Sequence, residues 1–301
     1  MKEIGFKTWI VVLFLAGCVF SAGDAVAGQG RKQSLHFFCK GNPRKTLSYK
    51  GDGSILVSGH RGGREKGYPE NSLEGFQNVL RQMPALFEID PRLTKDSVIV
   101  LMHDATLDRT TTGKGLLSNY TWEELKSVRL KDSEGNVTGC TIPTLEEVIR
   151  WSRGKTVVNL DKKDVPMEMI AAMIKKMHAE DHVMLTVHSG QQARFYYDRF
   201  PNVMLSAFAR NMKEYEDLAA SGVPWNNMIA YVGPSITPEN ARIVEMLHAS
   251  GVRCMISVAP THDKLNSAEE RQKAYLQEIR TNPDIVESDI PTEIWEALKL
   301  R

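Results

Sequence analysis

The chain has almost no charge excess. Lys and Arg number 38 against 37 for Asp and Glu, a formal net charge of +1. That leaves no basic surface of the kind a nucleic-acid partner demands. Cysteine is scarce too. The four present, Cys18, Cys39, Cys140 and Cys254, form no Cys-x-x-Cys pair and show no Cys/His spacing that would point to zinc. With Cys18 set aside, three remain, so at least one is unpaired; a Cys39–Cys140 bridge is open in an oxidising compartment.

Long apolar runs are absent beyond the first twenty or so residues, so no later segment reads as a membrane span. The single run lies at the start, where Lys2 and Lys7 flank Trp9-Ile10-Val11-Val12-Leu13-Phe14-Leu15-Ala16. It is too short to cross a bilayer comfortably and suits the core of a signal peptide. Two endings are open. Leu15-Ala16-Gly17-Cys18 has the form of a bacterial lipobox, which would make Cys18 a lipidated first residue and a membrane tether. Ala25-Val26-Ala27 is a small-x-small site for cleavage before Gly28. On either ending residues 1–27 are a leader and the protein is exported, periplasmic or lipid-anchored at the bacterial envelope. Nothing in the sequence points to an obligate protein partner.

What is present is the composition of a globular protein: 42% hydrophobic and 25% charged residues, enough for one large core. Residues 28–53 are polar and glycine-rich and read as an irregular lead-in. From Ile55 onward, short apolar runs at 55–58, 86–89, 98–102, 156–160, 183–187, 203–207, 228–232, 252–258 and 285–287 read as strands. Amphipathic stretches such as 72–83, 144–152, 167–180, 238–250 and 268–280 fall between most of them. Alternation of this kind implies a parallel sheet, and the number of repeats favours a closed (β/α)8 TIM barrel over 54–301. Nine strand candidates compete for eight places, and 228–232 is the first suspect for a position outside the barrel. Residues 105–142 break the rhythm with glycines, threonines and one helical patch at 122–128. They read as a small inserted subdomain between the third and fourth strands.

The chemistry-bearing residues follow strand candidates directly. One strand runs into His60-Arg61-Gly62-Gly63, a second into Glu88-Ile89-Asp90, a third into His103-Asp104 and a fourth into Asp161-Lys162-Lys163. In a barrel these ends converge on the C-terminal face, where such enzymes keep their active sites. Glu88 and Asp90, two apart on a strand, share a face. With Asp161 they make three carboxylates, an oxygen set for one divalent ion, Mg2+ or Ca2+. Arg61 can grip a phosphate with two hydrogen bonds and Lys163 can add a point charge. Gly62 and Gly63 would let the backbone approach the anion. His60 and His103 suit a phosphodiester, one deprotonating the nucleophile and the other protonating the leaving alkoxide.

Each assignment has a plainer rival. A lone histidine at a strand end is more often structural, Asp161 can merely pair with Lys162 or Lys163, and Asn71-x-x-Glu74 has the form of a helix cap. Lys114 between two glycines lacks the spacing of a phosphate loop. Asn119-Tyr120-Thr121 and Asn136-Val137-Thr138 match glycosylation sequons by chance. Trp122 and Trp151 read as helix packing, whereas Phe208, Trp225 and Tyr231 are candidates for a substrate wall.

Together the motifs resemble the glycerophosphodiester phosphodiesterase family. They are His60-Arg61-Gly62, Pro69-Glu70-Asn71-Ser72, Glu88-Ile89-Asp90, Thr94-Lys95-Asp96, His103-Asp104, Leu107-Asp108-Arg109-Thr110-Thr111, Pro143-Thr144-Leu145-Glu146-Glu147 and Ser288-Asp289-Ile290-Pro291. The resemblance implies cleavage of glycerophosphodiesters to sn-glycerol 3-phosphate and an alcohol, with a small-molecule phosphodiester as partner and a divalent ion as cofactor. It implies His60 and His103 as the acid/base pair, Glu88, Asp90 and Asp161 as metal ligands, and Arg61 and Lys163 at the phosphate. Glu70 and Asn71 take supporting places. One departure matters: the family's third acid is usually a glutamate, and Asp161 is one methylene shorter. The related sphingomyelinase D branch uses Asp-x-Lys there, which keeps a phospholipase D-like activity as an alternative. An exported barrel that only binds phosphorylated ligands is the second, though binding alone needs no acid/base pair.

Overall fold

A computed structural model describes residues 43–301. The leader, both cleavage points at Cys18 and Gly28, Cys39 and the lead-in up to residue 42 lie outside the described residues.

The strand segments alternate inward and outward positions, and that alternation builds two apolar layers. In β1 (Leu56–Gly59) and β2 (Leu86–Ile89), Val57, Phe87 and Ile89 join an outer core with helix residues such as Phe76, Val79, Leu145 and Val148. Leu56 and Leu86 belong instead to an inner cluster with Val157, Met184, Met204, Ile229, Met255 and Ile285. The remaining wall strands are β5 (Val158–Leu160), β6 (Val183–Val187), β7 (Met204–Phe208), β8 (Met228–Gly233), β9 (Cys254–Ser257) and β10 (Ile285–Ser288). All eight pair in parallel and close in the order β1-β10-β9-β8-β7-β6-β5-β2. The inner apolar residues sit at the N-terminal ends of the strands, so the barrel is greasy at the bottom. Higher up, the buried inner positions turn polar, with Ser58, Glu88, Asn159, Thr186, Ser206, Ser257 and Glu287.

Three expectations are corrected. The lead-in is not irregular from Pro43 onward: α1 (Pro43–Leu47) places a fully buried Leu47 in the inner cluster. Without such a plug the lower layer would face water. The strand outside the barrel is not 228–232, which is wall strand β8. It is β4 (Ile99–Leu101), which pairs antiparallel with β3 (Pro91–Leu93). The insertion therefore begins at this hairpin and follows the second barrel strand. Its physical unit is a satellite core in which Val100 and Met102 pack with Leu107, Leu117, Leu125, Leu130, Cys140 and Ile142. Within it α2 (Trp122–Leu125) carries a capping box between Thr121 and Glu124.

Among the described residues Cys140 and Cys254 are buried free thiols, and Cys39, the other half of the open bridge, lies outside them. No helix among the described residues is long and apolar enough to cross a membrane. If Leu47 closes the barrel floor, Leu47→Ala should cost about 2–5 kcal/mol of unfolding free energy, the range for emptying a buried leucine site. Urea denaturation measures this, and a loss below about 1 kcal/mol would show that the plug is dispensable.

Candidate active site

The loop after β1 is held in a conformation few residues tolerate. Arg61 has φ 54° and Asn71 φ 55°, both left-handed, a backbone state that costs free energy for residues with a Cβ. The two are locked together, since the Asn71 N–H donates to the Arg61 carbonyl at 2.7 Å. The Arg61 N–H in turn donates to Glu88 Oε2 at 2.9 Å. Gly62, at φ 84°, answers to packing rather than to an anion: a Cβ there would lie 2.1 Å from the Phe76 ring. At Gly63 it would lie 2.9 Å from Pro291.

Glu88, Asp90 and Asp161 converge as the sequence implied, with one carboxylate oxygen from each lying within 4.8 Å of the others. Shortened as it is, Asp161 still reaches the cluster. Burial, then the charges of Asp90 and Asp161, push the Glu88 carboxyl well up. Burial would also raise Asp161, but the neighbouring Lys163 ammonium outweighs it and holds that carboxyl down. Lys163 Nζ lies 2.6 Å from Asp161 Oδ2 and 3.0 Å from Asp90 Oδ1, so the acids already draw a cation between them. Asp90 Oδ1 is buried, and its partner is that ammonium. An all-oxygen donor set of three carboxylates fits a hard divalent ion.

Asn71 is not a helix cap. Ser72 caps the helix at Leu73–Gln82 by accepting from the Gly75 N–H at 3.0 Å. The Asn71 amide instead donates to Asp90 Oδ2 at 2.6 Å and accepts from the Asp90 N–H at 3.1 Å. The Thr144 motif does cap its helix, through a capping box with Glu147.

Both histidines stand near the acids, His103 within electrostatic reach of Asp90, and each is anchored through Nδ1. His60 Nδ1 lies 2.7 Å from Asp289 Oδ1 and His103 Nδ1 2.7 Å from Asp104 Oδ1. This bonding leaves Nε2 of each ring for other work; that of His60 is 4.0 Å from Glu88 Oε2. Burial lowers the basicity of both rings. At His60 the Asp289 and Glu287 carboxylates reverse the effect and raise it, whereas His103 stays lowered despite Asp104. Asp289 is itself gripped by Arg64 and, at 3.2 Å, by Lys264 Nζ.

A chain of ion pairs joins the two sides. Arg109 holds Asp104 (Nε to Oδ2, 2.7 Å) and takes both oxygens of Glu70 at 2.9 and 2.8 Å. Glu70 Oε1 then accepts from the Arg61 guanidinium at 3.2 Å. Asp104, Arg109 and Asp289 stood inside recognised motifs without a role, and what could have singled them out was their place beside a histidine or acid. Glu287, two residues before Asp289 on an apolar strand, gave no such signal. Phe208 and Tyr231 line the cavity beside His60, but Trp225 stacks on Tyr215.

A closed parallel barrel with acids and His60 at the C-terminal ends of its strands, and His103 brought in from the hairpin, defines a TIM-barrel enzyme. The Glycerophosphoryl diester phosphodiesterase family pattern matches residues 60–220, and the chain belongs to that family. A glycerophosphodiester phosphodiesterase of Bacillus altitudinis is 31% identical over 204 residues, covering 64% of this chain and 81% of that one. The crystal structure of a glycerophosphoryl diester phosphodiesterase from Parabacteroides distasonis is 56% identical with a TM-score of 0.83, covering 85% of this chain and 90% of that one. A phosphodiesterase of Oleispira antarctica, solved in complex with the product sn-glycerol-3-phosphate, shares the fold at 24% identity and TM-score 0.59, covering 82% of this chain and 97% of that one. The protein is a hydrolase of glycerophosphodiesters.

If the Arg109 chain sets the positions of His103 and Arg61, Arg109→Leu should lower kcat on a glycerophosphodiester roughly 10- to 100-fold, the scale of small misplacements in a site. The circular dichroism spectrum should be unchanged. Wild-type kcat in this variant would remove the chain from the account.

Proposed function

We propose that the protein hydrolyses glycerophosphodiesters to glycerol 3-phosphate and an alcohol with one divalent ion, using His60 and His103 as the acid/base pair. The observation that carries this reading is the convergence of three carboxylates near two histidines, each anchored through Nδ1 by its own aspartate. Glu88, Asp90 and Asp161 would hold the ion, which when bound supplies Lewis-acid polarisation of a phosphate oxygen.

The remaining work falls to the chain's own groups. Arg61 and Lys163 would bind the phosphate's negative charge. One histidine would take the proton of the attacking oxygen, supplied by water or by a neighbouring substrate hydroxyl, as the new P–O bond forms. The other would deliver a proton to the departing alkoxide as its P–O bond breaks. Because both Nδ1 atoms are engaged, Nε2 is the atom that serves in each ring. Asn71 would keep Asp90 oriented, and Glu70 would keep Arg61 in place.

The leader-like residues 1–27 support export to the envelope, with Cys18 as a lipid tether or Gly28 as the first residue. Mass analysis of the native N-terminus distinguishes them.

The central test is a product assay with glycerophosphocholine, glycerophosphoinositol and sphingomyelin. The expected result is glycerol 3-phosphate release, abolished by chelator and restored by Mg2+ or Ca2+. His60→Ala and His103→Ala should each lower kcat by about 10²- to 10⁴-fold, the usual worth of a general acid or base. Full activity in both variants would overturn the mechanism. Ceramide phosphate as the product would move the protein to the sphingomyelinase D-like alternative.

A further inference from the structure

The aspartate that anchors His60 is itself held from behind. Asp289 follows β10, and its carboxylate meets three basic groups, His60 Nδ1, Arg64 and Lys264. The two cations are poor guides to where that carboxylate sits. The Lys264 side chain is 56% exposed and that of Arg64 26%, and ion pairs open to water hold weakly. The backbone is gripped more firmly. The Asp289 carbonyl accepts from the Arg64 N–H at 2.7 Å, and the Asp289 N–H donates to Asp263 Oδ2. The same Asp263 oxygen accepts from the Ser288 hydroxyl at 2.9 Å, whose oxygen accepts in turn from the Ile290 N–H at 2.9 Å.

Asp263 lies in the short turn His262–Lys264 after β9 and is buried, as are Ser288 and Tyr275. Its other oxygen accepts from the Tyr275 hydroxyl at 2.6 Å. Tyr275 stands on the helix Ala268–Arg280 and belongs to the outer core. Every hydrogen bond to Asp263 thus comes from an uncharged donor. Arg271, a cation within electrostatic reach, is taken by Glu293 at 2.7 and 2.6 Å. Burial, and to a lesser degree the charge of Asp289, push the Asp263 carboxyl up against the pull of its three bonds. A carboxylate placed against its own solvation holds something, and here it holds the chain at 288–289. The turn has separate fastenings to the same helix, His262 Nε2 to Glu278 Oε1 at 3.0 Å and Arg271 to the Leu265 carbonyl at 3.1 Å.

We propose that Asp263, braced by Tyr275, is a positioning residue for the reaction: it fixes the backbone of Asp289 and through it the carboxylate that orients His60. The inference rests on the reading of His60 as half of the acid/base pair and extends that reading to a helix of the outer layer.

Two measurements test it, one of which needs no turnover. The His60 Nδ1 proton, shared with the Asp289 carboxylate, should resonate far downfield in the wild-type spectrum and is assigned by its absence in His60→Gln protein. Asp263→Leu should move that resonance upfield and lower kcat on glycerophosphocholine roughly 10- to 100-fold with KM unchanged, the scale of a small misplacement. Asp263→Asn should restore most of both, because its amide oxygen can still accept from the Asp289 N–H and the Ser288 hydroxyl while its NH2 donates to the Tyr275 oxygen. Tyr275→Phe should move both readouts in the same direction by less, and serves if the leucine variant does not fold. In an Asp289→Asn background Asp263→Leu should cause no further loss of kcat, since residues acting through one another are not additive. An unmoved resonance, or wild-type kcat, in the folded leucine or phenylalanine variant would sink the proposal. A wild type that cleaves no glycerophosphodiester would sink the hydrolysis reading instead, and the resonance would still decide whether Asp263 sets Asp289 against His60.

Discussion

The constraint on which the rest of this structure depends is the burial of several carboxylates at one end of one barrel. Glu88, Asp90, Glu287 and Asp289 are between 0 and 7% exposed, and Asp161 stands beside them. Two like charges about 4 Å apart cost on the order of 4 kcal/mol even at an effective dielectric near 20, so such a group folds only if it is compensated. Much of the polar architecture of the upper barrel is that compensation. Lys163 sits between Asp161 and Asp90, Asn71 bonds Asp90, the Arg61 backbone bonds Glu88, and His60, Arg64 and Lys264 surround Asp289. Compensation remains incomplete at Glu88, whose carboxyl is pushed upward by burial and by its neighbours. That residual demand for positive charge is what the proposed divalent ion would meet.

The same demand explains why the insertion is part of the site. His103 does not come from a barrel strand. It follows the hairpin strand β4, whose outer residues pack into the satellite core. What ties this separate unit to the barrel is the Asp104–Arg109–Glu70–Arg61 chain, together with Arg92 of the hairpin, which donates to the Asp164 carboxylate beyond β5 at 2.9 Å. The loop from β1 meets the insertion again at Asp132, which accepts from the Gly67 N–H at 2.9 Å. Two histidines from two structural units are thus held at fixed distance by ion pairs rather than by a shared sheet.

Much of this was legible in the sequence because it is local. Short apolar runs mark the wall strands, and Glu88 and Asp90 share a face because they are two apart. The motif residues met as expected, including Asp161 despite its shorter side chain. Two kinds of feature were not legible. The 98–102 run reads as a barrel strand because an antiparallel hairpin strand buried in a satellite core has the same apolar pattern. With nine runs for eight places, 228–232 was then suspected in its stead. Roles set by long-range contact were hidden as well: Asn71 matches a cap by spacing, but its amide bonds a residue 19 positions away. Asp289 meets His60 across 229 positions of sequence, and the glycines after Arg61 are dictated by Phe76 and Pro291. Nor could the lead-in's Leu47 be seen as a plug before the barrel floor existed for it to close.

The claim at the centre of this account is that the carboxylate cluster binds one divalent ion. Calorimetric titration of Mg2+ or Ca2+ into chelator-treated protein tests it most directly. The expected result is a single site per chain for at least one of the two ions, weakened at least tenfold by Asp90→Asn, since that change removes one of the three converging carboxylate charges. Absence of binding by either ion, or a site of equal affinity in the Asp90→Asn protein, would contradict it.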